Sequence, residues 1–339
     1  MHDEFDVLAI GNAIVDVIAA TDEAFLAGQG IEKGSMRLIP AAEAQALYDR
    51  MPPGREVSGG SAANSCAGIA ALGGRVAFIG RVSDDQLGRV FAHDIRAAGV
   101  DYRTPPAVGG PPTGQCLILV TPDGQRTMNT YLGSCQDVDA GDVDEARVRA
   151  AKVTYIEGYL WDPPAPIRAC TRALEIARAA GRKTAMTLSD VFCVEGHRED
   201  FLTLIPGSID IVFANENEAR SLFRTDDVHE AVDALSRIAS VAVVTRSEKG
   251  AVVAAGGERH AVPVTPAARV LDTTGAGDLF AAGFLTGYTR GLPLRECAIM
   301  GTIAAAEVIE HYGARPEADL KARVRSVMPG LAVQSLIRN

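Results

Sequence analysis

An α/β fold, with a mostly parallel central sheet, helices on both of its faces and a small second sheet, is what this 339-residue sequence predicts. From Gly60 onward, apolar runs of strand length alternate with helix-length segments, the pattern of βα units laid into a parallel sheet. Between about Tyr102 and Cys135 the alternation breaks into two extended segments joined by Pro122-Asp123-Gly124, a hairpin signal. Further on, Asp272-Thr273-Thr274-Gly275-Ala276-Gly277-Asp278 joins a small-residue turn to an apolar helix and sets a carboxylate at the junction.

Taken in order, residues 5–10 read as a buried strand, 14–20 as a strand of mixed exposure, and 36–39 as a short strand before Pro40, whose fixed φ suits a helix start. A helix from Gly60 to about Leu72, a strand over 75–79 and a helix over 85–98 follow. Residues 115–121 and 126–132 make the hairpin. Strands then fall at 152–156, 184–188, 209–213 and 241–245, with helices between them. A large α/β domain of residues 1–13, 40–101 and 136–339 is expected, with 14–39 and 102–135 forming a small lid. Ligands of such sheets bind at the carboxyl ends of the strands. No low-complexity linker or internal repeat divides the chain further.

Apolar residues make up 47% of the sequence, ample for a buried core. No run approaches the roughly 18 apolar residues of a membrane span. The opening Met1-His2-Asp3-Glu4 is acidic where a signal peptide is basic, so a cytoplasmic protein without membrane contact is expected. A net charge of −10 argues against a nucleic-acid surface, which needs dense Lys and Arg. Cys66, Cys116, Cys135, Cys170, Cys193 and Cys297 are scattered without metal-ligand spacing, and the six histidines form no cluster. Reduced, buried thiols and no zinc site are expected.

The turn at 275–277 carries the chemistry. A helix start leaves amide N–H groups without intrahelical partners, and Gly275-Ala276-Gly277 has no bulky side chain to keep an anion from them. Asp278 beside that anion hole can take the proton of an attacking alcohol as a phosphoryl group arrives, whereas a plain helix cap is the alternative for those seven residues alone. Two more sites accompany it: Gly59-Gly60-Ser61-Ala62-Ala63-Asn64 opens a second small-residue helix, and Gly11-Asn12-Ala13-Ile14-Val15-Asp16 follows the first strand. Neither a Walker loop nor the glycine-rich and catalytic loops of protein kinases is present.

Three such sites in this order resemble the ribokinase-like (PfkB) carbohydrate and nucleoside kinases, and the resemblance spans most of the chain. It implies a ribokinase-like fold, with Asp278 as catalytic base and Gly275, Ala276 and Gly277 around the transferring phosphoryl group. Asn12 and Asp16 match residues that hydrogen-bond sugar hydroxyls, and Gly59, Gly60 and Asn64 match the second part of that pocket. Asn215 and Glu218 match the family's Asn-x-x-Glu element, which organises magnesium and its waters, although such a sequence also makes an ordinary capped helix start. Thr245 and Gly250 match the nucleotide-binding turn, with Ser247 where a glycine is usual and Lys249 read as a surface charge. Asp272 and Thr274 match positions that help bind a monovalent cation, so potassium joins ATP and magnesium among the expected cofactors.

The hairpin bears on the acceptor. Thr113-Gly114-Gln115-Cys116, Gly124-Gln125-Arg126-Thr127 and Leu132 resemble the lid of the adenosine kinases more than that of sugar kinases, and Arg126 matches an arginine near the transferred phosphate; an exposed hairpin arginine is the alternative. Met36, Leu38, Ile39, Tyr131, Leu132 and Phe192 are candidates for an apolar slot around a base. Adenosine kinase activity, giving AMP and ADP in purine salvage, is the function the resemblance implies, with adenosine and ATP as small-molecule partners of a monomer or homodimer. A sugar kinase of the same family and a catalytically silent nucleoside-binding protein are the alternatives.

Overall fold

A computed structural model describes residues 5–330; Met1-His2-Asp3-Glu4 lies outside them. The strands are β1 (Phe5–Ile10), β2 (Ile14–Ala20), β3 (Met36–Leu38), β4 (Arg55–Gly59), β5 (Val76–Ile79), β6 (Asp101–Tyr102), β7 (Gly114–Val120), β8 (Arg126–Tyr131), β9 (Ala151–Glu157), β10 (Lys183–Thr187), β11 (Ile211–Asn215), β12 (Val241–Thr245), β13 (Ala251–Ala255) and β14 (Glu258–Val262). Nine form one sheet in the order β14-β13-β12-β11-β10-β9-β1-β5-β6, and five form a second in the order β3-β8-β7-β2-β4.

The large sheet is buried on both faces because its strands are apolar on both. Along β1, Val7 and Ala9 enter one core cluster while Leu8 and Ile10 enter the other. The first cluster lies against helices Ser61–Ala71, Ala276–Thr289 and Leu294–Val308; the second lies against Pro164–Ala179 and Val228–Ile238. All pairings from β12 through β11, β10, β9, β1 and β5 to β6 are parallel, as the βα alternation predicts. At the opposite edge, β12–β13–β14 is antiparallel, a hairpin signalled by Gly256-Gly257, where both residues have positive φ. Its outer strand carries Glu258, Arg259 and His260, charges and a polar ring that suit an exposed edge.

The small sheet contains the expected strands and one more. Arg55–Gly59, assigned from the sequence to the large domain, pairs antiparallel with β2, Asp16 opposite Val57. Its short Arg-Glu-Val-Ser-Gly run has too little apolar alternation to mark it as a strand. Period-two alternation gives this sheet two different faces. Val15, Val17, Leu117 and Leu119 pack into the main core with Leu26, Leu47 and Phe91, while Ile14, Ile18, Cys116, Ile118 and Met128 face the other way. The lid is therefore seated on helices rather than simply projecting.

All six cysteines are free and buried. Among the described residues no helix is long and apolar enough to cross a membrane. Asp85 joins the two bodies: its carboxylate caps helix Gln86–Ala97 at the Gly88 amide (2.7 Å) and accepts from the Thr113 amide (2.8 Å) and hydroxyl (2.7 Å) at the entry to β7. Asp85→Ala leaves those donors without their acceptor and should lower stability by about 1–3 kcal/mol, read as a fall in the urea midpoint at constant m-value.

Candidate active site

A cleft of about 600 Å³ lies between the small sheet and the carboxyl ends of the large one. Asn12, Glu157, Thr187, Asn215 and Thr245, at or just past the ends of β1, β9, β10, β11 and β12, line its floor. The chain leaves β1 for β5 on one side and returns to β9 on the other, so the cleft opens at a topological switch point.

Helix Ala276–Thr289 points its first turn into this cleft. Gly275 starts it at φ 77°, a left-handed conformation, and a Cβ there would lie 2.6 Å from that of Ala314, so glycine is required twice over. No side chain caps the helix, the Ala276 amide bonds back to Thr273, and Gly275, Gly277 and Asp278 line the cleft. The first-turn amides of Gly277 and Asp278 therefore suit an anion. The Asp278 carboxylate accepts from the Ser61 hydroxyl (2.6 Å) and the Asn64 side-chain amide (3.0 Å). The cleft walls raise its pKa by desolvation, while those two donors and the Arg315 charge pull it back down.

The residues expected to hold the acceptor gather opposite. Asn12, Asp16, Gly60 and Asn64 line the cleft, and Asn64 Oδ1 is buried there without a hydrogen-bond partner. Gly59 does not line it but makes room: a Cβ on Gly59 would sit 2.5 Å from the Asp16 carboxylate, and one on Gly60, at φ 98°, would sit 2.1 Å from the Asn12 carbonyl oxygen. Desolvation pushes the Asp16 carboxyl up to about 7, opposed by Arg315 and Arg126.

Two residues that motif reading passed over complete this region. Glu157 is wholly buried and lines the cleft; its two carboxylate oxygens accept from the Asn12 and Ala62 amides, each at 2.7 Å, tying the loop after β1 to the start of helix Ser61–Ala71. Its pKa is pushed up to about 7 by burial. Arg315 donates to the Ser58 carbonyl and hydroxyl (2.9 Å each) and to the Ala63 carbonyl. A carboxylate ending an apolar strand and an arginine following Gly313-Ala314 are the only local signals for them.

Of the residues expected at the nucleotide, Asn215 and Glu218 form a capping box: the Asn215 side chain accepts from the Asn217 and Glu218 amides (2.9 Å each), and Glu218 accepts from the Asn215 amide (2.9 Å). Glu218 nevertheless lines the cleft, and burial pushes its pKa up to about 7. Thr245 and Thr274 line the cleft; Gly250 does not, but at φ 81° it turns the chain where a Cβ would lie 2.0 Å from the Val262 carbonyl. Ser247 takes a φ of 51°, the conformation a glycine adopts freely, and Lys249 is exposed. Among the described residues no group of three or more His, Cys, Asp or Glu could hold a metal. The Glu218 carboxylate and the Asn215 side chain at the cleft are oxygen donors of the kind that suits magnesium while it keeps several waters.

Arg126 does not line the cleft. Its guanidinium is ion-paired with Asp272, and both side chains are nearly inaccessible. Of the residues proposed for a base slot, Met36, Leu38, Leu132 and Phe192 line the cleft, whereas Ile39 and Tyr131 do not. Ile14, Cys116, Ile118 and Met128 extend the apolar wall, and Tyr159 packs against Phe192 with ring centroids 5.9 Å apart.

The description of the pfkB family carbohydrate kinases matches residues 5–320. The crystal structure of adenosine kinase from Sinorhizobium meliloti is 53% identical, covers 96% of this chain and 99% of its own, and has a TM-score of 0.91. A probable sugar kinase from Rhizobium etli CFN 42 is 50% identical, with the same 96% and 99% coverage and a TM-score of 0.91. Adenosine kinase 1 of Arabidopsis thaliana is 30% identical over 343 residues, 91% of this chain and 96% of that protein.

Glu157 generates a pH signature. Its folded pKa of about 7 lies above the ordinary 4.5, so the folded protein holds this proton more tightly than the unfolded chain. The stability it contributes is full below pH 4.5 and is lost as pH rises through about 7. The stability of the wild type relative to Glu157→Gln should therefore decline between these values and level off above them, measured as urea midpoints from pH 5 to 8.

Proposed function

The chain belongs to the pfkB family of carbohydrate kinases, and from that premise we propose that this phosphotransferase acts on adenosine, moving the γ-phosphoryl group of ATP to the 5′-hydroxyl to give AMP and ADP. One observation carries the choice of acceptor: the polar group of Asn12, Asp16 and Asn64 adjoins an apolar slot formed by Ile14, Met36, Leu38, Ile118, Met128 and Leu132, with Phe192 also at the cleft. The polar part offers hydrogen-bonding partners to a ribose, and the apolar part offers the kind of surface on which a purine base packs. The 53% identity to the Sinorhizobium meliloti adenosine kinase supports the same reading.

Asp16 would accept from the ribose hydroxyls, with Asn12 and Asn64 orienting the ring. Asp278 would take the proton from the 5′-hydroxyl as that oxygen attacks the γ-phosphorus and the bond to the β-phosphate oxygen breaks. The amides following Gly275 meet the charge on the transferring group. Asn215, Glu218 and Thr245 would face the nucleotide phosphates, and Glu218 would help hold magnesium, which would supply charge neutralisation there. The small sheet beside the cleft would limit the access of water, which competes as acceptor. A sugar kinase is the second reading, favoured by the 50% identity to the probable sugar kinase of Rhizobium etli; Asn12 and Asp16 would then hold the free sugar.

ADP release from ATP and magnesium, compared across adenosine, inosine, guanosine, ribose and fructose, separates the two. Adenosine-dependent release is the expected result, and sugar-dependent release without it would replace the acceptor. Asp278→Asn should lower turnover by about 10²–10⁴-fold with little change in adenosine affinity. Because Asp278 would work deprotonated and its pKa is raised, kcat/KM in the wild type should fall on acidification at a pH above the 3.8 of an ordinary aspartate.

A further inference from the structure

The pairing of Arg126 with Asp272 concerns the one expected cofactor whose site does not match the geometry. Asp272 opens the catalytic turn and is the carboxylate expected to help hold a monovalent cation. Its Oδ1 accepts from the Thr274 amide (3.0 Å), its Oδ2 accepts from the Gly313 amide (2.9 Å), and the Arg126 guanidinium sits on Oδ2 as well. The side chains of Arg126 and Asp272 are 7% and 1% exposed. Both oxygens of the carboxylate are thus engaged by donors, its charge is already met, and solvent does not reach it.

The placement follows from the architecture. Arg126 opens β8, opposite Val120, at the turn end of the hairpin. That turn rests on the segment leading to Asp272: a Cβ on Gly124 would lie 3.4 Å from the Leu271 carbonyl oxygen. The Leu271 amide in turn donates to the Ile309 carbonyl (2.8 Å), just past the end of helix Leu294–Val308, and Gly313 lies on the loop beyond. One ion pair therefore joins the small sheet, the catalytic turn and the loop at 309–313. Nε, Nη1 and Nη2 of Arg126 are all buried without a hydrogen-bond partner, so the guanidinium is held by its charge pairing with Asp272 alone, an expensive arrangement for a charge whose only task is packing.

We infer that Arg126 is a positioning residue that supplies from within the chain the positive charge Asp272 would otherwise take from a monovalent cation, so that this kinase orders its catalytic turn without potassium. The guanidinium and the ion carry the same single charge and compete for one carboxylate. An arginine delivered by the small sheet also orders the turn when that sheet is seated, which a diffusing ion does not.

The test compares thermal unfolding of the wild type, Arg126→Gln and Arg126→Lys in potassium, sodium and choline chloride at equal ionic strength, with ADP release measured in parallel. The wild type should show no potassium-selective rise in Tm and no potassium activation. Arg126→Gln vacates Asp272 and should gain a rise in Tm that grows with the logarithm of potassium concentration, with partial recovery of kcat rather than KM. Arg126→Lys keeps the charge and should remain insensitive. Potassium-selective stabilisation or activation of the wild type would overturn the inference, as would an Arg126→Gln protein that ignores potassium. The inference rests on the phosphotransferase reading and not on adenosine; the thermal measurement needs no acceptor, so failure here and failure of the adenosine assignment remain distinguishable.

Discussion

Everything at the cleft depends on holding the Asp278 carboxylate between two helix starts. Asp278 belongs to the first turn of Ala276–Thr289, and its two oxygens are gripped by Ser61 and Asn64 from the first turn of Ser61–Ala71. The Ser65 hydroxyl adds a bond to the Asp278 carbonyl (3.0 Å). The helices can approach this closely because small residues face each other: a Cβ on Gly68 would lie 2.6 Å from a Leu279 methyl and 2.7 Å from the Ala282 Cβ. Small residues in both helices serve packing as much as anion access.

That arrangement collects negative charge in a protein already at −10. Asp16, Glu157 and Glu218 are all pushed up to about 7, and Asp278 is raised as well. The opposing forces are amide donors and a few arginines. Arg315 opposes the rise of both Asp16 and Asp278 while bonding Ser58 and Ala63, so a single side chain adjusts charge and holds strand Arg55–Gly59 against the helix start. An incoming ATP with its magnesium enters a site whose anion-facing elements are helix amides, which attract phosphate without raising the net positive charge of the surface.

The small sheet gives the cleft its apolar wall. Period-two alternation gives it one face that packs into the core through Val15, Val17, Leu117 and Leu119 and another that presents Ile14, Cys116, Ile118 and Met128 to the cleft. Asp16 lies on that same face between Ile14 and Ile18, so a carboxylate and an apolar wall sit side by side by strand geometry alone.

The sequence by itself determined what is local. The βα rhythm, the hairpin at Pro122-Asp123-Gly124, and the Gly275-Ala276-Gly277-Asp278 junction all depend on neighbours in the chain, and all stand where they were read. Strand Arg55–Gly59 escaped because five mixed residues acquire strand character only by pairing with β2. Glu157 escaped because its partners, Asn12 and Ala62, lie 145 and 95 residues away. Only the tertiary structure decided that Arg126 meets Asp272 instead of the cleft: motif matching assigns each residue to a ligand, but a buried guanidinium and a buried carboxylate brought within reach pair with each other, because separate desolvation of either charge is the costlier state.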